Sequence, residues 1–101
     1  MFGRSRFAKF AETQLDLFLR EHRDLVAEIN ERLAAYNRAD RSEAEELYGD
    51  YVDAVEAGAE VLAEMRDHFA RTVDDADDYV AAFNSVVAKR LPAYAAAVES
   101  L

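Results

Sequence analysis

SEAEELYGDYVDAVEAGAEVLAEMRDHFARTV, residues 42–73, reads as one long central helix. Ser42 followed by Glu45 has the spacing of a capping box, in which each side chain satisfies the other's amide. Behind it Ala44, Tyr48, Tyr51, Val55, Gly58, Leu62, Met65 and Phe69 recur at steps of three and four. That spacing keeps one face apolar along the whole helix. Asp50, Asp53, Glu56, Glu60, Glu64 and Asp67 occupy the opposite face. A helix with two such faces must bury its stripe against partners.

The flanking segments supply them. Upstream, Ala8, Ala11, Leu15, Phe18, His22, Leu25, Ile29 and Tyr36 keep the same spacing, which predicts a helix over about 6–36. Leu19, Val26 and Leu33 widen its stripe, and Glu28–Arg32 is a favourable i,i+4 pair. Asn37–Arg41 reads as the first turn, with Asn37 as the expected left-handed residue. Downstream, Asp74-Asp75-Ala76-Asp77-Asp78 suits a helix N-terminus, where the dipole favours negative charge, so Asp74 or Asp75 is the expected cap. A helix over about 76–100 follows, with Tyr79, Val80, Phe83, Val87, Leu91, Tyr94, Val98 and Leu101 as its stripe. Pro92 lacks an amide and should kink this helix near Arg90. The expected fold is therefore all-α: an antiparallel three-helix bundle over 43–73 and its two neighbours, a single domain about 45 Å long by the helix rise. Three broad faces with eleven aromatics exceed what one slim bundle covers, which favours a two-fold homodimer.

Composition agrees and excludes. The 101 residues hold no cysteine, so disulfides, Cys-ligated metals and thiol catalysis are out. No apolar run is long enough to span a membrane. No export signal is visible, so the expected location is the cytoplasm. The net charge is −9, and residues 43–79 hold thirteen acids against two bases. Such a surface repels phosphate backbones and argues against nucleic acid; a basic protein is the partner it suits. Residues 1–10 are the exception, with Phe2, Arg4, Arg6, Phe7, Lys9 and Phe10 and no acid. They read as a lead-in that closes one end of the core and meets the acidic turn.

Chemistry-bearing constellations are few. There is no phosphate-binding glycine loop, no G-x-S-x-G, no H-E-x-x-H and no Glu-x-x-His. The acidic run 74–78 lacks the glycine and the bidentate glutamate of a calcium loop. The expectation is a non-enzymatic protein without a cofactor that acts by protein–protein contact or self-association. The alternative is a small ligand-, haem- or metal-binding bundle. If the turns centre near residues 39–40 and 74–75, His22, Gly58 and Pro92 fall in one layer, and Phe18, Tyr51 and Tyr94 would line a pocket there. Glu60, Glu64 and His68, one turn apart, form a ladder that could hold a metal at a surface.

Overall fold

The computed structural model describes residues 2–101, with side chains from Arg6 onward, so Phe2 and Arg4 of the basic lead-in lie outside the described side chains. The described chain is all-helical: α1 (Phe2–Glu21), α2 (Arg23–Arg38), α3 (Ala44–Ala70), α4 (Ala76–Arg90) and α5 (Pro92–Glu99). The expected count of three helices is corrected to five, because both outer helices are interrupted. The molecule measures 51 × 23 × 19 Å.

The first interruption is at His22, with φ −116° and ψ 34°. It bends the rod without severing it, since the His22 amide still donates to the Phe18 carbonyl and the Val26 amide to the His22 carbonyl. The bend changes partners. α1 packs mainly on α4, and α2 packs mainly on α3.

The second interruption reverses the chain. Pro92 disfavours helical geometry at the residue before it, and Leu91 sits at φ −134°, ψ 60°. Pro92 then opens α5 in the first turn, where its missing amide is harmless. Arg66 Nη1 donates to Asn84 Oδ1 at 3.1 Å and to the Val98 carbonyl at 3.0 Å. In a straight helix those acceptors would stand about 21 Å apart along the axis. α5 therefore doubles back along α4 and packs on α3, and the expected kink is in fact a helical hairpin.

The turns also differ from expectation. Among the described residues none has positive φ, so Asn37 is not a left-handed cap; α2 runs on to Arg38 and Ala39 leaves it extended. Asp40, not Ser42, organises the entry to α3. Asp40 Oδ1 accepts from the Ser42 amide, the Ser42 hydroxyl and the Glu43 amide at 3.0, 2.7 and 3.2 Å. These bonds, the Ser42 hydroxyl's first, hold the Asp40 carboxyl below its ordinary pKa. Asp75 precedes α4 but does not cap it with its side chain. Its carboxylate accepts from Arg6 Nη2 at 2.8 Å, so the basic lead-in does meet the acidic turn.

The resulting body has unequal ends. At one end α1, α4, α5 and the second half of α3 enclose a core of Phe7, Leu15, Phe18, Leu62, Tyr79, Phe83, Val87 and Val98. At the other, α2 and the first half of α3 stand as a two-helix hairpin. α3 buries Ala59, Ala63 and Ala70 beside its larger residues. These alanines let α4 and α5 approach closely.

Candidate functional site

Ile29, Ala54 and Val55 are the last buried residues towards the hairpin tip; none of residues 30–53 is buried. The helices are nonetheless apolar there. Leu33, Tyr36, Leu47, Tyr51 and Val52 are half-buried, and Tyr48 is 50% exposed. Tyr36 and Tyr48 pack ring to ring with centroids 5.2 Å apart, and Tyr51 lies 6.4 Å from Tyr48. Tyr48, Val52, Val55 and Ala59 form one stripe of α3 by helical spacing. Its inner part is closed by the α4–α5 hairpin, and its outer part, at Tyr48 and Val52, is left open.

Asp50, Asp53, Ala54 and Ala57 form a different stripe of α3 and face α2. With Leu25 and Arg32 among its α2 residues, a groove follows the α2–α3 seam in two adjoining parts of about 520 and 290 Å³. Its floor is small and apolar (Leu25, Ala35, Leu47, Ala54), and the exposed Ala27 and Ala57 also line it. Its walls carry Asp24, Glu28, Glu31, Asp50 and Asp53 against Arg32 alone. Arg32 donates from Nη2 and Nε to Glu28 Oε2 at 2.8 and 3.0 Å. That bond first, and then the charges of Glu28, Asp50 and Asp53, hold its guanidinium above the ordinary pKa.

The expected mid-bundle layer is partly assembled. The ideal Cβ of Gly58 would lie 3.1 Å from Ile29 Cδ1 and 3.2 Å from Tyr94 Cε2, so side chains fill the space above it. Phe18 meets Tyr94 edge-on at 6.2 Å. Burial pushes the Tyr94 hydroxyl pKa up, and Tyr51 adds to the effect. His22 stacks on Phe18 at 5.5 Å but is not level with Gly58. It lines a third groove, about 650 Å³ between α1 and α3, with Glu64, Met65, His68 and Phe69. The rod bends at His22, and Ile29, about two turns further on in α2, is the residue that stands against Gly58. Pro92 is exposed at the start of α5. Of the proposed metal ladder, Glu64 and His68 share the α1–α3 groove and Glu60 lies outside it. Among the described residues no group of three or more His, Cys, Asp or Glu is placed to hold a metal ion.

The burial of Arg66 escaped the sequence reading, as did the isolation of the Tyr79 hydroxyl, although the spacing places Tyr79 in the apolar stripe. Arg66 is only 4% exposed and ties α3 to α4 and α5, with Nε also donating to Asp67 Oδ1 at 2.8 Å. Its signal was spacing: Leu62, Arg66 and Ala70 lie one turn apart, which places the charge inside an apolar stripe. Tyr79 is fully buried among Phe7, Phe69 and Phe83. Its hydroxyl has no hydrogen-bond partner among the described residues, and burial pushes its pKa up to about 12.

Among the described residues no helix is long and apolar enough to cross a membrane. No protein-family model, curated protein or solved structure matches the chain.

Proposed function

We propose that this chain is a non-enzymatic interaction protein that self-associates through the open aromatic face of its α2–α3 hairpin. The observation that carries the reading is the absence of any buried residue over 30–53 in helices that are amphipathic throughout. Two helices alone cannot bury both faces of an apolar stripe, whereas two such hairpins packed face to face make a four-helix bundle. A two-fold axis is the simplest arrangement, because one patch then serves both protomers. Leu33, Tyr36, Tyr48 and Val52 are the residues this packing would cover. Aromatic side chains are favoured in such contacts because they supply large area from few rotatable bonds.

A ligand pocket at the Gly58 layer draws less support, since Ile29 and Tyr94 occupy it. Sedimentation velocity over a range of concentrations tests the reading. The wild-type chain should sediment as a dimer and Tyr48→Glu as a folded monomer, because Tyr48 is half in solvent and its replacement leaves the core intact. A wild-type monomer at all concentrations, or a Tyr48→Glu dimer of undiminished strength, would sink it.

A further inference from the structure

The seam groove on the other side of the hairpin has a composition of its own. It is floored by alanines and leucines and walled by five acids against one arginine. An alanine floor admits the close approach of another helix. The wall selects the sign of that helix. The single cation in the groove, Arg32, lies in hydrogen-bonded contact with Glu28, so the wall already accommodates one guanidinium. Asp24, Glu31, Asp50 and Asp53 make no side-chain ion pair among the described residues.

We propose that the α2–α3 seam groove is a docking site for an amphipathic helix of a partner protein, with apolar residues on the alanine floor and arginine or lysine flanking them. Charge complementarity names this occupant over a second copy: the same groove on a second molecule is equally acidic, so two such grooves would not pair. Arginine suits the wall best, since its fork can bridge two carboxylates. The site is distinct from the aromatic face and shares with the self-association reading only the premise that the protein works by contact.

The test uses a synthetic amphipathic helix with a leucine stripe flanked by arginines, and a twin with every arginine replaced by glutamate. Amide shifts of the full chain should move at Ala27, Glu31, Leu47 and Asp50 with the first peptide and stay still with the second. Glu31→Lys with Asp50→Lys should weaken binding about tenfold or more. Ala27→Trp fills the groove from an exposed position without changing charge, and should weaken it similarly. Asp77→Lys with Asp78→Lys makes the same charge change at the far end and should have little effect beyond general screening. Equal weakening by that distal pair, shifts spread over the surface, or no binding of the arginine peptide would each overturn the proposal. Peptide affinity reports on the groove and sedimentation of Tyr48→Glu on the aromatic face, so either reading can fail alone.

Discussion

Gly49 and Gly58 lie on the same helix, and replacing each by alanine should have different consequences. In a helix interior alanine is favoured over glycine by about 1 kcal/mol. At Gly49 a new Cβ meets nothing within 4 Å, so Gly49→Ala should gain that amount in full. For a domain of this size the midpoint should rise by about 4–8 °C. At Gly58 the same gain is opposed. The Cβ would stand 3.1 Å from Ile29 Cδ1 and 3.2 Å from Tyr94 Cε2, so both must retreat by a few tenths of an ångström. Ile29 can move the end of a flexible chain. The Tyr94 ring cannot yield so cheaply, because it is 5% exposed and held edge-on by Phe18. Overpacking of this kind costs about 1–3 kcal/mol, which leaves Gly58→Ala between neutral and about 2 kcal/mol destabilised. Urea unfolding followed by far-ultraviolet circular dichroism measures both, provided the m-values agree. In a Tyr94→Ala background the penalty should disappear and Gly58→Ala should turn stabilising, a coupling that a double-mutant cycle isolates. If Gly58→Ala stabilises as much as Gly49→Ala in the wild-type background, α5 does not lie over α3 at Tyr94, and the reversal at Leu91 is wrong.

The buried polar groups give two further predictions. Tyr79→Phe removes a hydroxyl that is buried without a partner among the described residues, and should be neutral or stabilising by about 1 kcal/mol in the same unfolding assay; a clear loss would reveal a partner for the oxygen. The same hydroxyl makes the fold alkali-sensitive. Its pKa is raised from 10.0 to about 12, so above pH 10 the unfolded chain gives up this proton first and stability should fall between about pH 10 and 12. Tyr79→Phe should flatten that fall, and an unchanged slope would refute the assignment. Arg66→Met keeps most of the side-chain stem and removes the donors to Asn84 and Val98. It should cost about 1–3 kcal/mol, since relief from burying a charge offsets part of the lost bonding, and amide exchange in α5 should accelerate ahead of the rest. A variant as stable as wild type would show that the tether contributes nothing.

Large side chains made much of this fold legible in the sequence. Phe7, Leu15, Phe18, Ile29, Phe83 and Val87 announce their burial through spacing and bulk, so the all-helical class and the approximate helix limits follow from them. The misreadings share a physical origin. Ala59, Ala63 and Ala70 contribute little hydrophobic signal but lie buried on the face on which α4 and α5 pack, and Arg66 falls among them as an apparent surface charge. The bend at His22 has neither proline nor glycine to mark it. Pro92 did mark its site, but proline constrains only the residues beside it, and the angle through which the chain turns is set by what the next helix can bury. Tyr94 and Val98 bury themselves by turning back onto α3, and a straight continuation would have carried them past the end of α1.

That reversal bears on function. Had α5 continued along the line of α4, it would have run beside Tyr51, Tyr48 and Val52 and closed the third side of the α2–α3 hairpin. By folding back it completes the core at one end and withholds cover from the other. The placement of Val98 at Arg66 and the exposure of Tyr48 are thus two results of one turn at Leu91. The exposure of Tyr48 at the tip follows from the way the described helices solve their own packing. Stability is unevenly distributed for the same reason: the hairpin tip has few buried contacts, so it should open locally more readily than the four-helix end. An occupant on either face would add the contacts that the hairpin does not supply, so the region proposed to bind is the region whose order would depend most on being bound.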